Sequence, residues 1–206
     1  MKTTLSMLFL WVFSFSFSQV NWMTMEQALT AQKTNPKKIL IDFYADWCGP
    51  CKLMDKQTYS HPIISKYINE NFYAVKFNAE GNQTVNFYDR VFTNPDFANK
   101  AKSKNAMHQF TKFMNVNGYP ALVFLDENAQ PITNLMGYFS AKELEPYITI
   151  FSKGEYKNIK TREQWENYQK KFKSKIKDKR RKILRKTFKS IIGRPFDFNK
   201  IRSYKN

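Results

Sequence analysis

The only two cysteines of this 206-residue chain stand with two residues between them, in FYADWCGPCKLMD, Phe43 to Asp55. They follow the apolar run KKILIDFYA, whose length and β-branched content predict a buried strand. From Pro50 the spacing turns helical through Leu53, Met54 and Tyr59, with a break at Pro62 and a renewed stripe at Ile64, Tyr67 and Ile68. Cys51 is expected to open that helix. Two thiols so placed close a tight disulfide when the first caps a helix, because backbone N–H groups and the dipole favour the Cys48 thiolate. Gly49-Pro50 suits the turn, since proline is favoured where its missing N–H costs nothing. Cys51, one turn inside, can then resolve a mixed disulfide formed at Cys48. On spacing alone a redox pair, an inert structural disulfide and half of a metal site all stay open. A zinc site needs two further ligands, and the only histidines, His61 and His108, do not pair at ligand spacing. Each reads as a surface or helix-end residue, and no metal is expected.

The rest of the chain supplies layers for that strand and helix. Asn21 to Thr34 reads as a short helix capped by Thr24, with Gln27 three residues later and Met25, Ala28 and Leu29 on one face; Asn35-Pro36 ends it. FYAVKFNAE alternates like a second strand, and PALVFLDENAQPITNLMGY reads as two strands joined by a polar turn at Asp126 to Gln130. SAKELEPYITIFSKG has the pattern of a capped helix. The order helix, strand, helix, strand, helix, hairpin, helix predicts an α/β layered domain. Between Glu80 and His108 there is no clear helical period. Val85, Phe87, Val91 and Phe92 flank the polar turn Tyr88-Asp89-Arg90, which predicts a small hairpin, followed by a loop around Asn94-Pro95.

The two ends differ in character from the middle. MKTTLSMLFLWVFSFSFSQVNW sets one Lys before an apolar run from Leu5 to Phe17, then the small-x-small triplet Ser16-Phe17-Ser18. That is the order of a secretory signal peptide. The run is shorter than the roughly 20 residues that span a bilayer. Residues 1–18 are therefore expected to be removed near Ser18-Gln19, leaving an exported protein, periplasmic or secreted. An exported scaffold stapled by disulfides would carry more than one pair, so a lone C-x-x-C is informative. Residues 153–206 hold 20 Lys or Arg against 5 Asp or Glu, and so most of the chain's formal charge of +17. Trp165, Tyr168, Phe172, Ile176, Ile183 and Leu184 fall on one helical face, interrupted by KDKRRK, which predicts a basic amphipathic helix with an ill-defined end after Gly193-Arg194-Pro195. A solvated or packed helix is the plain reading. An anionic membrane surface is the second, each basic residue near it contributing on the order of 1 kcal/mol. No nucleic acid is expected, because the cations lack a recognisable binding fold.

DFYADWCGPCK resembles the active-site strand, loop and helix of thioredoxins, and the likeness runs further. Asp42, five residues before Trp47, matches the family's buried carboxylate, which helps deprotonate the second cysteine, and Lys76 in AVKFNAE matches the lysine paired with it. NGYPALVFL resembles the cis-proline loop, which implies that Pro120 lies beside the disulfide and that the Tyr119 backbone can bond an extended substrate. Gly137 in LMGYFSAKEL matches the glycine before the last helix. The likeness covers about Asn21 to Ser152. It implies a thioredoxin fold over residues 19–152, a central mixed β-sheet flanked by helices, with 81–105 as an inserted loop or hairpin and 153–206 as a basic helical extension. It implies a thiol-disulfide oxidoreductase without cofactor. Cys48, Cys51, Asp42 and Pro120 would be catalytic, Lys76 would support proton transfer, and Trp47, Gly49, Pro50 and Tyr119 would face the substrate. Gly-Pro between the cysteines usually marks a reductant in the family, so disulfide-bearing substrate proteins and a membrane electron donor are the expected partners. A disulfide oxidase or isomerase, or a non-catalytic binding module, are the alternatives.

Overall fold

The computed structural model describes residues 19–99 and 106–177. The expected signal peptide, residues 100–105 of the expected insertion, and the part of the basic extension that holds Ile183, Leu184 and Gly193-Arg194-Pro195 lie outside the described residues.

The first elements of the described residues are a two-residue strand, β1 (Trp22–Met23), and helix α1 (Met25–Thr34). Thr24 and Gln27 close a reciprocal capping box at the start of α1, so two backbone donors that a helix start leaves unpaired are satisfied. The helix begins four residues later than its pattern predicts, because Trp22 and Met23 pair with a strand instead. The run around Ile39 forms β2 (Lys38–Tyr44), whose Ile39, Leu40, Ile41 and Phe43 are fully buried. A helix with a π-helical end follows: α2 (Gly49–Met54) passes into Asp55–Tyr59, and α3 (Pro62–Asn71) leads to β3 (Phe72–Asn78). Leu53 is exposed rather than part of the apolar face. Then come β4 (Val85–Phe87), β5 (Arg90–Phe92), the short α4 (Gln109–Phe113), β6 (Ala121–Leu125), β7 (Pro131–Met136), α5 (Ala141–Ser152) and α6 (Arg162–Lys171).

Five strands make one mixed sheet in the order β1-β3-β2-β6-β7, with β1, β3 and β2 parallel and β6 and β7 antiparallel to their neighbours. The register sets Asp42 directly beside Lys76 on one side and Leu122 on the other. With a helix-bearing crossover between β2 and β3 and helices against the sheet, the architecture is the thioredoxin fold.

The segment between β3 and β6 finishes the core. Val85, Phe87 and Phe92 are buried with Phe43, Phe77 and Phe110, while Val91 points outward, as strand alternation requires. Tyr88 and Asp89 both take positive φ, 52° and 56°, so the hairpin turn has two residues and Arg90 already belongs to β5. The three-residue turn expected from sequence is shorter by that one residue. The Tyr88 hydroxyl donates to the Ala129 carbonyl at 2.8 Å, which ties the hairpin tip to the β6–β7 turn.

After α5 the chain folds back. The Trp165 ring lies 4.6 Å from that of Tyr147, and the Tyr168 hydroxyl donates to the Pro146 carbonyl at 3.2 Å. Helix α6 stops at Lys171, with Phe172 extended, so Ile176 does not continue the helical stripe. Continuing the helix would align Lys171 with Lys175 and Lys173 with Lys177, like charges one turn apart that repel.

Candidate active site

The end of β2 aims the chain at the site. After Tyr44, the loop Ala45-Asp46-Trp47 turns so that the Cys48 N–H donates to the Ala45 carbonyl at 3.0 Å, and α2 starts at once. Cys48 is the N-cap of α2, and its Sγ accepts the Cys51 N–H at 3.2 Å. Helix α2 therefore opens at Gly49 rather than Cys51, with Cys51 in its first turn. Cys48 and Cys51 are joined as a disulfide, S–S 2.03 Å, and both are buried, packed with Ala45 and against Tyr44 and Tyr119. Gly49 and Pro50 form the exposed lip above them. A side chain at Gly49 would meet open space, so glycine is not demanded there by crowding.

Two residues before Tyr44 in β2, Asp42 is 1% exposed. Its Oδ2 accepts from Lys76 Nζ at 2.6 Å, and the same ammonium donates to Asp55 Oδ1. Lys76 also lies over three rings, 5.0 Å from the centroid of Trp22, 5.0 Å from Tyr44 and 5.3 Å from Tyr59. Burial raises the Asp42 carboxyl above its ordinary value, and Lys76 only partly offsets this. Lys76 is less deeply buried, and there the attraction of the two carboxylates outweighs the desolvation, so its ammonium is held above the ordinary lysine value. One attraction favours both charges, and the difference in burial decides which group gains.

The third wall is the Tyr119-Pro120 segment, whose peptide bond is cis. Pro120 is buried, its carbonyl accepts the Gly137 N–H at 2.8 Å, and Ala121 next to it pairs with Phe43 of β2. Gly137 has φ of 101°, a region that a side chain would strain. The Tyr119 ring meets the Trp47 ring edge-on at 6.0 Å. Burial and the nearby Glu80 push the Tyr119 phenol up to about 12.

The structure thus gathers Cys48, Cys51, Trp47, Gly49, Pro50 and Tyr119 at the end of β2, with Pro120 one residue on and the Asp42–Lys76 pair in the adjoining stretch of β2 and β3. It adds three residues that sequence reasoning missed. Glu80, 5% exposed, accepts the Trp47 indole N–H through both oxygens, at 3.1 and 3.0 Å, which fixes a side chain that is itself 67% exposed. Asp55 shares Lys76, and Tyr59 is buried beside Asp42. The acid of FNAE and the (i, i+4) offset of Cys51 and Asp55 were the available signals. The histidines sit elsewhere as caps: His61 Nδ1 accepts from Ile63 in α3, and His108 Nδ1 from Phe110 in α4.

A family model described as a thioredoxin-like domain matches residues 25–152. The thiol:disulfide interchange protein DsbD of Photorhabdus laumondii is 24% identical over 138 residues, 66% of this chain and 20% of that protein. DsbD of Haemophilus ducreyi is 30% identical over 126 residues, 60% of this chain and 18% of that protein. The chain spans about a fifth of the length of these relatives. Among solved structures, a thioredoxin from Thermus thermophilus superposes with a TM-score of 0.50 at 16% identity, covering 68% of this chain and 94% of that one, a likeness of fold.

Proposed function

The chain belongs to the thioredoxin-like family, and on that footing we propose that it is a thiol-disulfide oxidoreductase that reduces protein disulfides outside the cytosol. The observation that carries this is the Cys48–Cys51 disulfide at the mouth of α2, bounded by Trp47 and Tyr119. In the reduced protein, the Cys51 N–H that already points at Cys48 Sγ stabilises a thiolate there. That thiolate attacks one sulfur of a substrate disulfide; the S–S bond breaks, a mixed disulfide forms, and the other substrate sulfur leaves as a thiolate. Cys51 then gives its proton towards Asp42 and attacks Cys48 Sγ. The Cys48–Cys51 bond forms, the second substrate sulfur leaves, and two electrons have passed to the substrate, whose thiolates take up the two protons. Lys76 keeps Asp42 ready to accept, and the Tyr119-Pro120 backbone holds the substrate chain extended.

The chain is further assigned as a leader over residues 1–18, a thioredoxin-like domain over 19–152 with 81–105 inserted, and a basic extension over 153–206. Export follows from the leader, and a reductant outside the cytosol needs a membrane protein to resupply its electrons. Equilibration of the mature protein with glutathione and dithiothreitol buffers tests the direction. A potential near or below about −250 mV is expected, and one above about −200 mV would make the protein an oxidase or isomerase instead. Trapping of a mixed disulfide by Cys51→Ser separates catalysis from a purely structural bond, and a Cys48→Ser variant that captures partners as well as wild type would point to a binding module.

A further inference from the structure

Two buried polar atoms beside the Asp42–Lys76 pair make no hydrogen bond to any described residue: Asp42 Oδ1 and the Tyr59 hydroxyl. Tyr59 is 3% exposed and Asp42 1%. Ring packing alone does not explain a tyrosine here. Its ring meets Trp22 edge-on, centroids 4.9 Å apart, and lies under the Lys76 ammonium, contacts that a phenylalanine would keep. A hydroxyl left unpaired in such a place costs about 1–3 kcal/mol, so it calls for an acceptor or donor. The groups around it narrow the choice. Asp42 Oδ2 is taken by Lys76, and Lys76 also serves Asp55. Tyr44 of β2 faces the same ammonium through its ring, with Asp46 acting on its phenol from the loop beyond, and the β6 neighbour of Asp42 is apolar Leu122. What remains is one carboxylate oxygen that accepts and one O–H that donates, and each acts on the other's charge.

Resting on the oxidoreductase function above, we propose that the Tyr59 hydroxyl is the second donor to the Asp42 carboxylate and, with Lys76, holds it as the anion that takes up the Cys51 proton. The bond runs from Oη to Oδ1 through one bridging water, which a polar, enclosed site accommodates. Tyr59 is thus a positioning residue: it touches neither sulfur nor substrate and acts through Asp42. A donor to the charged form lowers a carboxyl's proton affinity. Removing the hydroxyl therefore makes Asp42 hold its proton to higher pH.

The test is a carboxyl-carbon NMR titration of Asp42 in the oxidised full chain, wild type and Tyr59→Phe, together with the pH profile of mixed-disulfide release. In Tyr59→Phe the Asp42 midpoint should rise by about one pH unit, with the acid limb of the release rate moving the same way. An unchanged midpoint would overturn the proposal whatever the activity. Should Tyr59→Phe fold poorly, 3-fluorotyrosine at position 59 keeps the hydroxyl and strengthens its donation, so the midpoint should fall; a midpoint that stays put is again fatal. The titration needs no turnover. A wild type that reduces no disulfide would therefore refute the oxidoreductase function, while the midpoints still decide the hydrogen bond.

Discussion

Asp42 and Lys76 face each other across β2 and β3, 2.6 Å apart, and yet the carboxyl is held above its ordinary value because it is buried more completely than its partner. A group whose folded value lies above the unfolded one binds its proton more tightly in the native state, so stability falls as pH rises through the folded value. Asp42→Asn removes that loss. Its melting temperature should exceed that of wild type at pH 8.5, and the gap should close as pH falls towards 4, since Lys76 keeps Asp55 as partner. The same variant should release mixed disulfides about 100-fold more slowly, the scale of a lost general base. A variant less stable than wild type at high pH would reverse the assignment of burial as the dominant cause.

The Glu80–Trp47 contact carries the second prediction. Trp47 stands 67% exposed at the lip of the disulfide, and the paired bonds to the buried Glu80 carboxylate hold it there. Hydrogen bonds to a charged group contribute about 1.5–3 kcal/mol, less at a solvated donor. Glu80→Leu should lower the exchange protection of the indole N–H about tenfold and weaken reduction of a protein substrate more than of a small disulfide. Glu80→Gln keeps an acceptor and should change both by less than about threefold. Indole signals in nitrogen-15 NMR read the first effect directly.

Local chemistry was the part of this site legible in the sequence. Strand β2, the Gly-Pro turn and the cap at Thr24 are each determined within a few residues, and the structure reproduces them. Asp42 and Lys76 were paired through resemblance, and the register that joins them is a property of the β2–β3 alignment. Glu80, Asp55 and Tyr59 left no comparable trace, because each acts on a residue brought near only by the crossover or by the π-helical end of α2. Strand β1 was missed for a simpler reason: two residues cannot show a period. The basic helix α6 ends at Lys171, before Phe172 and Ile176 of its apolar stripe, because lysines one turn apart oppose its continuation there.

His108 yields a third prediction, on acid stability. It is fully buried, its Nδ1 accepts the Phe110 N–H at 3.0 Å, and its Nε2 contacts the Gln83 carbonyl at 2.6 Å. Only the neutral ring protonated on Nε2 satisfies both partners, and burial lowers its proton affinity below the ordinary 6.5. The unfolded chain therefore binds the proton first as pH falls. Stability is complete above about 6.5 and declines below it, by at most about 1.4 kcal/mol per pH unit from this group. His108→Asn retains a capping side chain and should lose that share of the acid sensitivity, seen as a smaller drop in urea midpoint between pH 7.5 and 5. An identical drop in the two proteins would mean that the ring binds its proton equally well in the folded and unfolded chain, against the effect of burial.

The last prediction concerns how far the folded unit reaches beyond α5. The Trp165 ring lies tilted against Tyr147 at 4.6 Å and stacks on Tyr168 at 5.5 Å, and the Tyr168 hydroxyl bonds the carbonyl of Pro146, so the aromatic face of α6 is anchored on α5 by side chains of both helices. An aromatic pair contributes about 0.5–1.5 kcal/mol beyond its buried area. With the area itself, Trp165→Ala should cost about 2 kcal/mol, or about 5 °C in melting temperature for a unit of this size. The disulfide packs with Ala45 and against Tyr44 and Tyr119 rather than against the α6 aromatics, so the Cys48–Cys51 potential should stay within about 10 mV of wild type. Loss of stability without change in potential would assign α6 to the fold rather than to the chemistry. If instead α6 were a free charged helix, as its many charged side chains suggest in isolation, thermal unfolding of Trp165→Ala would superimpose on that of wild type.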